Sequence, residues 1–158
     1  MNEKSLKLSD VRWIGMHFLD ANSHTFLHER QYYKAILPGA PLHNSEKFGI
    51  ILSKIADRGF IPSTVKAPLR IEKYTDVYHQ KSDFFSVPLE KAPFESVKQA
   101  ALLIIKFFLY LKRHNLTLLD AHSKNIVFQN SNTPLWCDIG SIVPYDQGVF
   151  RSAFEQFV

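Results

Sequence analysis

The chain has one cysteine, Cys137, in 158 residues, so no disulfide can form within it, and a reducing, cytoplasmic setting is expected. Its six glycines are scattered, with no two close enough to form a glycine-rich phosphate loop. No run of Lys and Arg exceeds two, and no aromatic-basic repeat occurs. The net charge of +4 therefore reads as scattered solvated charge rather than a nucleic-acid-binding stripe. Long apolar runs are also missing. The richest region, 100–111, is interrupted by Lys106 and falls short of the roughly 18 residues a membrane span needs. The segment from Met1 to Lys7 lacks the apolar core of a signal peptide. No targeting or transmembrane segment is expected. His17, His24, His28, His43, His79 and His114 show no paired metal-ligand spacing.

What is present is ordinary globular material, 46% hydrophobic and 22% charged, enough for a real core. Residues 11–19 and 24–37 are rich in β-type side chains and flank the polar turn Asp20-Ala21-Asn22-Ser23, which predicts a small antiparallel sheet. Phe48, Ile51, Leu52 and Ile55 recur at helical spacing between a capping Asn44-Ser45 and Gly59, predicting a helix near 45–58. Short β-type runs over 68–87 precede a long helix, 94–114, opened by Pro93 and Glu95 and closed by Lys112-Arg113-His114, where cations complement the helix dipole. The predicted class is α+β. A β-rich part with one helix spans 1–87, and a helical part with a loop and hairpin spans 88–158. On its apolar strand, Cys137 reads as a small buried hydrophobe.

The chemistry concentrates in 118–141. Asp120 and Asn125 lie in a loop that runs into the apolar strand Ile126-Val127-Phe128, and a second strand, Leu135-Trp136-Cys137, ends on Asp138-Ile139-Gly140. Phosphoryl transfer needs a carboxylate to orient or deprotonate the acceptor hydroxyl and oxygen ligands for magnesium on the nucleotide phosphates. Asp120 suits the first task; Asn125 and Asp138 suit the second. The plainer reading of each is a turn former whose side chain bonds nearby backbone. Lys124 is a point charge able to reach a phosphate, or a solvent-facing loop lysine.

The run Asp120-Ala121-His122-Ser123-Lys124-Asn125 resembles the Asp-x-His-x-x-Asn catalytic loop of aminoglycoside phosphotransferase-like kinases, and Asp138-Ile139-Gly140 resembles the Asp-Phe-Gly element that follows it. More narrowly, Lys98-Gln99-Ala100-Ala101-Leu102-Leu103, the Leu-Asp-Ala-x-x-x-Asn run and Asp138-Ile139-Gly140-Ser141 are similar to kinase-like segments preceding some bacterial SAM-dependent methyltransferase domains; no methyltransferase glycine signature occurs.

The resemblance implies a kinase-like fold, a small antiparallel-sheet lobe followed by a truncated helical lobe, and ATP with Mg2+ as cofactors. It implies Asp120 as the catalytic residue and Asn125 and Asp138 as metal ligands. Lys34, paired with Glu46, and Lys124 would be contacts to the nucleotide. A solvated strand lysine and an acid at a helix N-terminus account for Lys34 and Glu46 without a ligand. Two positions depart from the family pattern. Leu118 stands where a histidine is usual, with Leu119 beside it as apolar packing, and the glycine-rich loop is missing.

The expected activity is Mg-ATP-dependent phosphorylation of a hydroxyl on a small molecule or sugar. The alternative is an inactive kinase-like binding or regulatory module, a pseudokinase, possibly a fragment or partner of a methyltransferase. Only eighteen residues follow Gly140, where a full kinase-like lobe continues through further helices. Val143, Phe150, Phe154 and Phe157 then predict that 142–158 pack on a second copy, a partner or a missing C-terminal domain.

Overall fold

The computed structural model of the chain describes residues 4–14, 22–40, 47–81, 87, 89–119 and 121–145. The class is α+β: among the described residues there are a five-stranded antiparallel sheet, smaller strand pairs and two α-helices. The chain divides into two compact units, Met1–Arg58 with Pro62–Ser82, and Gly59–Ile61 with Asp83–Val158.

The first unit contains β1 (Lys4–Leu6), β2 (Arg12–Ile14), β3 (Ser23–His28), β4 (Gln31–Ile36), α1 (Lys47–Asp57), β5 (Thr64–Lys66), β6 (Leu69–Ile71) and β7 (Asp76–Gln80). Its main sheet has the order β2-β3-β4-β7-β5, with β1 and β6 forming a separate parallel pair. Because side chains alternate along a strand, β4 sends Tyr33 and Ala35 to one face and Lys34 and Ile36 to the other. All four are buried. On the first face Tyr33 stacks on Phe26 at 5.1 Å, in a core with Leu6, Val11, Ile71 and Val77. Phe48, Leu52 and Ile55 of α1 are buried, and the Phe48 ring meets Tyr78 of β7 edge-on at 5.7 Å.

The sequence reading runs 24–37 as one β-type stretch; the structure breaks it into β3 and β4 at Glu29-Arg30. Both turn residues have positive φ, 50° and 63°, the geometry of a two-residue hairpin that normally recruits glycine or asparagine. No sequence signal marks it. Glu29 is held from outside the turn, its carboxylate accepting a 2.9 Å bond from the Lys4 ammonium, which together with that charge keeps its pKa below the usual carboxylate range.

The second unit contains α2 (Phe94–Lys112), β8 (Leu116–Leu118), β9 (Ile126–Asn130), β10 (Thr133–Trp136) and β11 (Ile142–Pro144). β9 and β10 form an antiparallel hairpin, and β11 pairs antiparallel with β8. α2 buries Ala100, Leu103, Phe107 and Leu111 along one face, as its apolar spacing predicts. It ends two residues short of the expected boundary, because the His114 and Asn115 amides close onto Leu111 and Lys112 carbonyls and Asn115 turns left-handed at φ 57°. Phe60, from the short segment after α1, stacks on Phe107 at 5.1 Å. The Ser96 hydroxyl donates to Ser131 O at 2.6 Å, tying the first turn of α2 to the hairpin's turn.

Three side chains lie elsewhere than the sequence suggests. Val143, expected with Phe150, Phe154 and Phe157 to pack on a second copy, a partner or a missing domain, is 4% exposed within its own unit, where β11 pairs it opposite Thr117; the three phenylalanines lie outside the described residues. Cys137 is only half-buried, being the first residue past β10, where its neighbour Trp136 takes the inward position. Leu118 is buried, whereas Leu119, read as packing, is exposed.

Candidate functional site

The loop from β8 to β9 and the end of β10 meet through main-chain bonds. Ile126 and Trp136 are the last paired residues of the hairpin, and beyond them the Cys137 amide donates to Asn125 O at 2.9 Å. Asn125 and Asp138 therefore flank the same open end of the hairpin, one residue apart in register. On the other side, the Leu119 amide donates to Ser141 O at 2.7 Å, so the chain entering Asp120 is fastened to the turn that follows Asp138. Asp120 and Glu46 lie outside the described residues.

Asp138 opens a one-turn 3₁₀ helix, Ile139–Ser141, with its Oδ1 accepting from the Gly140 amide at 3.2 Å. Its carbonyl oxygen is gripped twice more: Trp136 Nε1 donates to it at 2.8 Å and the Ser141 hydroxyl donates to it at 2.8 Å. Trp136 Nε1 also donates to Ser141 Oγ at 3.1 Å. Trp136 is fully buried and Ser141 is 3% exposed, so water does not compete for these bonds. The turn's backbone, and with it the direction in which the Asp138 carboxylate leaves the chain, is set by groups that sequence motifs did not single out. The only signal was an aromatic two residues before a carboxylate and a serine three after.

His122 is exposed and its Nδ1 accepts from the Lys124 amide at 3.1 Å, so it caps the 3₁₀ turn Ser123–Asn125. Lys124 is exposed on that turn. Among the described residues, no group of three or more His, Cys, Asp or Glu could hold a metal on its own. What the hairpin end offers is one carboxylate and one amide oxygen. That donor set fits magnesium, which takes one or two protein oxygens and fills its shell with phosphate and water.

Lys34 belongs to the first unit. It is 8% exposed, not a solvated strand lysine, because β4 is the middle strand and neighbours cover both sides. It lies opposite Thr25 and Tyr78 in register, so Lys34 and Tyr78 share the face toward α1. Burial, and then the charge of Asp76, pushes the Tyr78 hydroxyl up to about 12.

No family model matches the sequence, and no curated protein matches it either. No helix among the described residues is long and apolar enough to cross a membrane.

Proposed function

We propose that this chain carries a kinase-type site, on a kinase-like fold of the aminoglycoside phosphotransferase kind, for Mg-ATP-dependent phosphoryl transfer to a hydroxyl of a small molecule or sugar. The observation that supports the reading is the Cys137–Asn125 main-chain bond, which joins the chain at Asn125 to the residue just before Asp138 at the open end of the β9–β10 hairpin. Taken by itself, the first unit carries a feature of the same kind: β4, the third strand of its main sheet in chain order, bears the buried Lys34, and protein kinases take their phosphate-binding lysine from a strand of their small lobe.

In this reading Asn125 and Asp138 would hold the cation through their side-chain oxygens. When bound, magnesium supplies charge neutralisation on the nucleotide phosphates. Asp120 orients the acceptor hydroxyl. As that oxygen bonds to the γ-phosphorus and the bond to the bridging oxygen breaks, Asp120 takes the hydroxyl proton and ADP leaves. The Trp136–Ser141 grip keeps the Asp138 turn from relaxing, so that its carboxylate is preorganised.

The second reading is an inactive kinase-like module. It is favoured by the Asp138 Oδ1 bond to the Gly140 amide, a turn-forming role that needs no ligand, and by the missing glycine-rich loop. Calorimetric titration of ATP with and without magnesium separates the two. The enzyme reading expects magnesium-dependent binding that Asp138→Asn abolishes in a folded protein. Wild-type protein that binds no nucleotide in either condition leaves the inactive module.

A further inference from the structure

Two one-turn 3₁₀ helices flank the β9–β10 hairpin, and each is preceded by a side chain that accepts from the amide two residues on. Before Ile139–Ser141 that side chain is Asp138, whose Oδ1 accepts from the Gly140 amide at 3.2 Å. Before Ser123–Asn125 it is His122, whose Nδ1 accepts from the Lys124 amide at 3.1 Å. The second turn is therefore capped by a candidate metal ligand, and the first by the residue three positions ahead of one.

Histidine is an unusual cap. Ser, Thr, Asp and Asn are the ordinary ones, because their short side chains carry an oxygen that reaches the amide. The segment contains Ser123 and Asn125, and Asn125 reads most plainly as a turn former. The structure gives the role to His122, whose own backbone is extended at φ −79° and ψ 143°. Asn125 is instead the last residue of the turn. Its amide donates to His122 O at 3.0 Å and its carbonyl accepts from the Cys137 amide at 2.9 Å. A main-chain N–H can only donate, so the bond from Lys124 fixes the ring as well: Nδ1 is bare, and the hydrogen of the neutral imidazole is on Nε2.

We infer that His122 is a positioning residue of the site: its ring, accepting at Nδ1, holds the turn from which Lys124 and Asn125 project and so sets where the Asn125 side chain stands. Because His122 closes the Lys124 amide, the turn forms without the Asn125 side-chain oxygen as its cap. Turn formation then does not account for asparagine at position 125, and a ligand does. That this ligand is magnesium-bound nucleotide rests on the phosphotransferase reading; that the imidazole sets Asn125 does not.

His122 is exposed, so its substitution leaves the core intact, and two variants of the full chain test the inference after circular dichroism has shown both to be folded. His122→Leu removes the acceptor, and His122→Asn supplies one from an ordinary capping side chain. In nitrogen-resolved NMR spectra His122→Leu is expected to shift the Lys124 amide and the Asn125 side-chain NH2, and His122→Asn to return both toward wild type. The wild-type ring should carry its hydrogen on Nε2. Affinity for ATP in the presence of magnesium should fall about fivefold in His122→Leu, the worth of a typical capping bond, and recover in His122→Asn. Asn125 resonances that His122→Leu leaves in place, or that both variants move equally, would overturn the inference, as would a hydrogen on Nδ1. Wild-type affinity for Mg-ATP that His122→Leu leaves unchanged would overturn it too. Resonances that behave as expected in a protein that binds no Mg-ATP would sink the phosphotransferase reading alone and uphold His122 as the residue that sets Asn125.

Discussion

The indole N–H of Trp136 donates to the main-chain oxygen of Asp138 at 2.8 Å, with the Ser141 hydroxyl converging on the same oxygen. A buried ring two residues upstream thus sets the backbone from which the candidate metal ligand projects. Removing either donor leaves the other in place. Ser141→Ala should cost about 1–2 kcal/mol of stability, the worth of a buried hydrogen bond, and Trp136→Phe should cost more because it also leaves a void. Urea denaturation of the two variants checks the order, and equal stability to wild type in both would remove the grip from the argument.

Thr117 carries the opposite kind of group. Its hydroxyl is fully buried on β8 and has no hydrogen-bond partner among the described residues. Burying an unpaired hydroxyl costs about 1–3 kcal/mol. Thr117→Val, which keeps the shape and drops the hydroxyl, is expected to raise stability by about 1 kcal/mol on this scale. A clear loss in thermal or chemical denaturation would mean that the hydroxyl is satisfied in solution.

Phe107 is fully buried and stacks on Phe60 at 5.1 Å with the rings 19° apart. Phe107→Ala should cost about 3–5 kcal/mol, because the cavity opens against a segment that the Trp136 amide bond to Phe60 O and the Phe60–Tyr110 ring contact hold in place, so it cannot collapse to fill the void. Circular dichroism melting measures the loss. A drop under about 1 kcal/mol would show that the Phe60 segment repacks freely.

Alkaline pH should unfold the first unit. Burial raises the hydroxyls of Tyr33 and Tyr74 above their ordinary value, and raises that of Tyr78 to about 12. Above the ordinary tyrosine range the unfolded chain loses these protons while the folded chain keeps them, so the stability present at lower pH falls as pH climbs toward about 12. Tyr78→Phe should flatten that fall. Melting temperature against pH, followed with tyrosinate absorbance, tests it; an unchanged slope would reassign the transition to other groups.

If the proposed nucleotide site is correct, Asp138→Asn should abolish magnesium-dependent ATP binding, because a cation held directly by a carboxylate is the largest local charge in such a site. Calorimetric titration of the folded variant checks it; magnesium-dependent binding equal to wild type would remove Asp138 from the site.

The long helix, read as 94–114 and observed over Phe94–Lys112, the hairpin that follows the 118–125 loop, and the α+β class were all legible in the sequence. Each rests on local spacing, and local spacing survives whatever the rest of the chain does. The turn at Glu29-Arg30 was not legible, since neither residue type favours positive φ and the turn is held by Lys4, distant in sequence. Lys34 reads as solvated in one dimension because a strand's own residues do not reveal how many neighbours it has; its burial came only with the middle place of β4 in the sheet. The same holds at the candidate site. The sequence supplied Asn125 and Asp138, but only pairing across the hairpin joined Asn125 to Cys137, the residue before Asp138, and long-range burial turned Trp136 and Ser141 into the donors that hold the Asp138 turn.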